Sequence, residues 1–180
     1  MNKKDIPLNN ANRLINAGAV VLVSTLYKDR PNVFTVAWNM PVSHSPICVA
    51  IASGKSNYST KIIEETKEFV INIPDASMKE EVINCGSVSG ENVEKFKRFE
   101  LTPLKSKKIK APGIKECIGH LECTLEKFVD IYDHIVFIAK VVAAYVDEDK
   151  WDFDDNVWIP EKAEVIQHLG GKYFAKIKEI

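Results

Sequence analysis

From Ser53 to Thr60 the chain reads Ser-Gly-Lys-Ser-Asn-Tyr-Ser-Thr, which packs the hydroxyls of Ser53, Ser56, Ser59 and Thr60 around the ammonium of Lys55. A strand-like run, Ile47 to Ala52, ends just before this elbow, and a helix-like segment starts within it. A helix N-terminus leaves its first backbone N–H groups without intrahelical partners, and the dipole there favours negative charge, so phosphates settle on it. Hydrogen bonds to a charged group contribute roughly 1.5–3 kcal/mol each, and two or three would anchor a phosphomonoester. The same residues also fit an ordinary capped helix, because Ser and Asn are preferred N-caps with or without a ligand. No glycine-rich phosphate fingerprint is present to decide between the two.

The elements that must position this elbow read mainly as strands. Ala19 to Tyr27 is an apolar run that stops at the turn-type cluster Lys28-Asp29-Arg30-Pro31 and resumes from Val33 to Trp38, which predicts a hairpin. Asn39 to Pro46, with two prolines, reads as a shaped loop and not a central strand. After the elbow, Tyr58, Ile62 and Ile63 give a short amphipathic helix, and Phe69 to Ile73 a third strand closed by Pro74. Ser77 to Asn84 opens on Ser77-x-x-Glu80, a capping-box spacing. Cys85 to Asn92 is a small, hydroxyl-bearing loop whose glycines permit close backbone approach to a flat ligand, or which simply connects two helices. Asn92 to Phe99 supplies one or two helical turns.

From Leu101 onward the pattern is β again: a lysine-rich edge-like run over Leu104 to Lys110, then Ile118 to Val129, then Ile135 to Val146. Leu121, Cys123 and Leu125 alternate with Glu122, Thr124 and Glu126, the two-residue period of a half-buried strand. Ile135 to Tyr145 is more continuously apolar, as expected of a strand buried on both faces. Asp152 to Pro160 reads as an acidic, aromatic-bearing loop. Six or so strands with short links and few helices predict a barrel.

The 180 residues are 46% hydrophobic, which suits one domain with a sizeable core. A formal net charge of −1 argues against binding dominated by nucleic-acid electrostatics, despite the basic run Lys95 to Lys110. Cys48, Cys85, Cys117 and Cys123 form no C-x-x-C pair and no ligand-spaced histidines accompany them, so neither a metal site nor a disulfide framework is indicated. Reduced thiols, a polar Met1 to Asn12 and the lack of a membrane-length apolar run predict a cytoplasmic protein with no membrane partner.

Several segments together resemble one family. Asn32 to Trp38, Pro41-Val42-Ser43, Ser45-Pro46, Ser56 to Thr60 and Glu68 to Pro74 are followed by Cys85-Gly86-Ser87-Val88-Ser89-Gly90 with Lys95-Phe96, by Asp133-His134, and by His168-Leu169-Gly170-Gly171-Lys172-Tyr173. From about Ala17 to Phe174, in order and approximate spacing, these resemble the flavin reductase-like, FMN-binding split-barrel family, especially its flavoredoxin branch.

The resemblance implies a mainly β fold with short helices, an FMN-binding split β-barrel, as one domain over 1–180 and a homodimer with FMN near the subunit interface. It implies Ser53, Lys55, Ser56 and Tyr58 at the FMN phosphate. Thr35, Val36, Ala37 and Trp38 would run beside the isoalloxazine, with Asn39 at its polar edge, although an aromatic such as Trp38 in a strand is also ordinary core. Cys85, Gly86 and Ser89 would border the ring or ribityl chain, and His168 the cofactor mouth. His134, tethered to Asp133, is the catalytic candidate, with simple structural tethering as the alternative. Cys85 itself has no expected catalytic role, since flavin chemistry needs no thiol. The implied activity passes electrons from NADH or NADPH, or from a redox partner, through FMN to free flavin, ferric iron or a partner protein. Without G-x-G-x-x-G, the nicotinamide would stack over the flavin in a surface cleft. The competing expectation is a non-redox barrel module that holds FMN or haem.

Overall fold

The structure is a computed structural model that describes residues 4–15 and 18–176; Met1 to Lys3, at the start of the polar N-terminal run, and Ala17, where the family-like region begins, lie outside the described residues. A 3-10 turn, Leu8–Leu14, precedes strands β1 (Gly18–Ala19), β2 (Val21–Tyr27), β3 (Arg30–Val36), β4 (Asn39–His44) and β5 (Ile47–Gly54). Helix α1 (Tyr58–Thr66), strand β6 (Glu68–Ile73) and helices α2 (Lys79–Ser87) and α3 (Lys95–Arg98) come next. The remainder is β7 (Pro103–Leu104), β8 (Gly113–Ile114), β9 (Gly119–Ile131), β10 (His134–Val146), β11 (Trp151–Asp152), β12 (Val157–Trp158), β13 (Ile166–Gly170) and β14 (Tyr173–Lys176).

Seven strands form one antiparallel sheet in the order β3-β2-β6-β9-β10-β5-β4. Its edge strands, β3 and β4, are consecutive in the chain and separated only by Ala37 and Trp38. Flat, the two edges would stand about 29 Å apart, six spacings of about 4.8 Å. Two linking residues reach about 11 Å. The sheet must therefore roll until its edges approach, which gives the barrel expected from the strand pattern and the split-barrel architecture implied by the resemblance.

The rolled sheet separates two apolar clusters. Val21 and Val23 face inward with Phe34, Ile51, Phe69 and Phe137. Their neighbours Val20 and Leu22 face outward, under Val82, Cys85 and Phe96. β2 is thus buried on both faces, which explains its unbroken apolar run. The β2–β3 hairpin turns at Lys28-Asp29, both with positive φ (49° and 58°), the two-residue turn whose twist matches that of the strands. Helix α1 buries Ile62 and Ile63, leaves Lys61 and Glu65 exposed, and ends at Lys67 in the left-handed conformation.

Several sequence expectations are corrected. Asn39–His44 is not a loop: it is an edge strand with a bulge between Pro41 and Ser43, the one setting in a sheet where proline is tolerated. The capping box is not formed; Asp75 accepts the Ser77 amide, and a short 3-10 turn leads into α2. Ile135 to Tyr145 is not buried on both sides: buried and partly exposed residues alternate from Ile135 to Ala139, and none is buried from Lys140 to Tyr145. Asp152 to Pro160 contains the returning strand of the small β11–β12 hairpin. Lys95 is not on a solvated face but buried.

Of Leu104 to Lys110 only Leu104 is in a strand, β7, and the reason is polar. The Lys107 and Lys108 amides donate to the carboxylate of Glu122 at 2.6 and 2.7 Å, and the Lys110 and Ala111 amides to Glu68 Oε1 at 2.9 Å. Two carboxylates take the place of a neighbouring strand. Glu122, expected on a wet face, is accordingly fully buried. Asn72 fastens the same loop: its Oδ1 accepts the Ile114 amide at 2.9 Å while its Nδ2 donates to Leu22 O at 2.8 Å and Ser24 Oγ at 2.9 Å. Each bond lost to a buried partner costs about 1–3 kcal/mol. Asn72→Ala is therefore expected to lower unfolding free energy by about 3 kcal/mol, with little change in m, in urea titrations.

His120 adds a pH dependence. Its Nε2 donates to Ile114 O at 2.8 Å, its Nδ1 is buried without a partner, and burial holds its pKa below the ordinary 6.5. The folded state thus prefers the neutral ring, so the unfolded chain takes up the proton first. Stability from this residue is complete above about pH 6.5 and is lost as pH falls toward the depressed folded value. His120→Gln should flatten the decline in Tm measured from pH 7.5 to pH 5.

Candidate functional site

The elbow after β5 is built by two nested contacts. Thr60 Oγ1 donates to Gly54 O at 2.8 Å and lies 2.7 Å from Ser53 Oγ, so Ser53 is a buried brace beneath α1. Asn57, the N-cap, makes no side-chain capping bond; its amide reaches back to Ser53 Oγ at 3.3 Å. The first turn of α1 is therefore left uncapped by side chains, and it opens onto a cleft.

That cleft has two contiguous compartments. The first, about 340 Å³, lies between Ser56, Tyr58 and Ser59 on one side and Cys85–Gly90 on the other, with Lys95 in its wall; Cys85 to Ser87 is not loop, as the sequence suggested, but the last turn of α2. The second, about 440 Å³, is more apolar, with walls from Ala37, Val82, Ile83 and Phe174. Thr35, Gly86 and Ser87 line both and so mark the passage between them. Gly86 lets the end of α2 press onto β3, since a Cβ there would stand 3.3 Å from the Thr35 side chain. At Gly90 a Cβ would lie 1.9 Å from Asn32 Oδ1, so only glycine fits.

Electrostatically, the first compartment is a donor-rich hole. Lys95 is buried, and its Nζ donates to Cys85 O at 2.6 Å. It forms no ion pair among the described residues. Burial lowers its pKa from 10.5, opposed by charge on Cys85. A buried ammonium with spare donors, hydroxyls around it and an uncapped helix end fits a phosphate group. In the second compartment, His168 donates from Nε2 to Gly171 O at 3.0 Å, which leaves Nδ1 as a buried lone pair with no partner. A polar cradle joined to an apolar slot suits a nucleotide with a flat ring.

Residues 13–167 match the family described as flavin reductase like domain. The chain belongs to the flavin reductase-like family. An Archaeoglobus fulgidus protein is 38% identical over 114 residues, 63% of this chain and 64% of that protein, so the chain spans just under two thirds of that relative's length. The Escherichia coli protein YddH is 31% identical over 179 residues, covering 94% of this chain and 92% of its own. Among solved structures, the flavoredoxin from Methanosarcina acetivorans superposes with a TM-score of 0.87 at 25% identity, over all of this chain and 94% of that one.

Within this flavin reductase-like fold, Thr35, Ala37, Ser56, Tyr58, Cys85, Gly86, Ser89 and His168 come together along the two compartments. Val36 points into the barrel core, and Asn39 Nδ2 is spent on Ala19 O at 2.8 Å. Lys55 pairs with Asp130 at 2.5 Å, outside both compartments. His134 takes its place at the barrel end, Nδ1 2.9 Å from Asp133 Oδ1, and Trp38 lies over its ring at 4.8 Å, 41% exposed. The bond from His134 holds the Asp133 carboxyl below its ordinary range. Neither lines the cleft.

Lys95 is the residue that sequence reasoning left in a basic run. A signal exists: Lys95-Phe96 opens a helical turn whose neighbour Phe96 is core, so the turn faces inward. Ser59, one of the elbow hydroxyls, lines the cleft as well, and so does Ser87, for which the sequence suggested no contact. Cys85 is fully buried and its pKa is pushed up to about 12, chiefly by burial, with Lys95 opposing. It stays a thiol at neutral pH. Native protein treated with iodoacetamide at pH 8 should therefore show no Cys85 carbamidomethylation by mass spectrometry, while urea-unfolded protein is labelled at all four cysteines.

Proposed function

We propose that this chain is an FMN-binding oxidoreductase of the flavin reductase and flavoredoxin type, moving electrons from NADH, NADPH or a redox partner to an acceptor such as free flavin, ferric iron or a partner protein. The observation that carries this reading is Lys95, a buried ammonium with no carboxylate partner among the described residues, at the polar end of a cleft whose other end is apolar. Bound FMN supplies the hydride and single-electron chemistry; the protein supplies binding, orientation and electrostatics. Lys95, Ser56 and the first amides of α1 hold the phosphate. Thr35, Ala37 and Gly86 border the ring, and His168 Nδ1 accepts a hydrogen bond from the bound ring system or the second reactant.

The chain acts as one domain, residues 1–180, and as a homodimer. Met40, Val42 and Ile47 expose 59%, 40% and 50% of their surface along the β4–β5 edge, and an apolar strand edge calls for a cover. All four cysteines are free and buried, which suits a reducing cytoplasm. Among the described residues no helix is long and apolar enough to cross a membrane.

The test is the visible spectrum of the purified protein with FMN, followed by anaerobic titration with each nicotinamide. A flavin spectrum that bleaches on NADH or NADPH supports the reductase form, and one that bleaches only with a reduced partner protein supports the carrier form. Failure to bind FMN would remove both. Removing one charge-assisted bond costs roughly 1.5–3 kcal/mol, so Lys95→Met and Ser56→Ala should each weaken FMN binding by about 10- to 100-fold. Lys55→Ala, which breaks the exposed pair with Asp130, should weaken it far less, by a factor of about 3 or under.

A further inference from the structure

Positive charge is concentrated in one run of the chain, and the fold spreads that run over one face. Lys95 to Lys110 holds seven Lys or Arg against one carboxylate, Glu100, so it carries +6 while the rest of a chain that totals −1 carries −7. Lys95 is buried in the cleft wall, but Lys97, Arg98, Lys105, Lys107, Lys108 and Lys110 are all exposed. None of these six forms an ion pair among the described residues.

The loop that carries four of the lysines is fixed from beneath. Glu122 holds the amides of Lys107 and Lys108, Glu68 those of Lys110 and Ala111, and Ser106 Oγ donates to Ala111 O. Backbone bonds thus engage both carboxylates, and docking a partner on this loop costs little ordering of its backbone. Two lysines of the sheet extend the array. Ala139 and Leu125 pack with the barrel core, so their neighbours Lys140 and Thr124 face outward, as does Lys127 opposite Ile138. Glu68 pairs with Thr124 and Thr124 with Lys140, which sets Lys140 two strand spacings, about 10 Å, from the anchored loop. Glu126, at the bulge of β9, is exposed and offsets one of these charges.

The array begins at the cleft. Lys97 and Arg98 share the four-residue helix α3 with Lys95, and α3 packs against β3. From β3 to Lys140 on β10 is four strand spacings, about 19 Å. A standard protein interface, about 800 Å² per partner, is roughly 30 Å wide and covers the array and the cleft mouth together. From Cys85 to Lys127 no large apolar side chain is exposed, and the Tyr145 ring lies under Lys107. The face therefore offers no ring for stacking nucleic-acid bases and no anchor for a bilayer.

We propose that this face docks an acidic electron-carrier protein beside the cleft. Charge complementarity selects the partner and orients it. The partner's class rests on the FMN reading of the cleft; the surface itself does not.

The probe is an oxidised, acidic [2Fe–2S] ferredoxin, titrated by calorimetry into FMN-saturated and into flavin-free protein. Binding should saturate and should weaken about tenfold or more between about 20 and 200 mM NaCl. The combined variant Lys105→Glu, Lys108→Glu, Lys110→Glu, Lys140→Glu should bind ferredoxin about 30-fold more weakly and FMN as tightly as the parent. A control with the same change in net charge elsewhere, Lys28→Glu, Lys61→Glu, Lys79→Glu, Lys162→Glu, should keep ferredoxin affinity within about threefold. No saturable binding at low salt, or equal losses in the two variants, would overturn the proposal. So would tighter binding at the same salt to a single-stranded oligonucleotide or to phosphatidylglycerol vesicles than to ferredoxin. Low-salt self-association in sedimentation runs, abolished by the first variant, would assign the array to the acidic stretch Asp147 to Asp155 of a second copy and overturn it as well. Protein that takes up FMN but does not bind ferredoxin would sink the docking face alone; protein that takes up no FMN yet binds ferredoxin with this salt and variant dependence would sink the flavin reading and uphold the face.

Discussion

Because β3 and β4 are the two edges of a seven-stranded sheet and are joined by Ala37 and Trp38 alone, the sheet has no freedom to remain open. Closure fixes what stands outside it. Thr35 and Ala37, near the end of β3, face the α2 side, while Val36 between them faces the barrel core, by the two-residue period of a strand. The Thr35 hydroxyl donates to Val82 O on α2 at 2.5 Å, so the strand that closes the barrel also docks the helix that walls the cleft. The cleft is in this sense a by-product of the roll: a gap between a strand that must curve and a helix–loop segment held at one end by Thr35 and at the other by Lys95 on Cys85 O.

Charge placement in that gap is what distinguishes it from a packing defect. Burying an ammonium is costly unless a partner compensates, and one carbonyl oxygen compensates little. Lys95 is kept there by Phe96, which is core and cannot leave, and by the Cys85 carbonyl at the end of α2, a stretch that Gly86 and, past the helix, Gly90 let press against β3 and Asn32. The depressed pKa of Lys95 and the raised pKa of Cys85 are two consequences of one cause, a site poor in solvent. An anion would relieve the first and push the second in the same direction as burial does. The arrangement makes the site selective by charge before any contact with a ring is made.

The fold was legible where apolar period and turn chemistry agreed. The β2–β3 hairpin, β6, β9 and β10 follow from runs of β-formers bounded by turn residues, and the elbow follows from hydroxyls before a helix. What was not legible is polar and tertiary. Glu122 alternates with Leu121 and Cys123 as a wet residue would, and nothing local reveals that two amides from a loop 14 and 15 residues upstream surround it. The run Leu104 to Lys110 carries strand-like residues, yet beyond Leu104 its amides are consumed by carboxylates and no ladder can form. Lys95 shares the composition of its exposed neighbours Lys97 and Arg98; only its phase on the helical turn differs. Likewise the sequence marks Lys55 and Ser53 as equals of Ser56, and only the third dimension separates a brace, an ion pair with Asp130 and a residue that lines the cleft.

The outer face of the sheet is covered in sections, and its cavities fall at or beside the seams. Along one row of paired residues, Thr35 lies beside Leu22, then Asn72, His120 and Tyr145. Leu22 is covered by α2, α3 and their cluster, and Asn72 and His120 by the loop that ends in Ile114. Tyr145 lies under Lys107. The cleft opens where the helices give out beyond Thr35. Between it and Tyr145 stand Leu22 and Asn72, both fully buried, one packed and one with four hydrogen bonds. Such a divider transmits little: sites more than about 10 Å apart without shared partners respond to substitution additively.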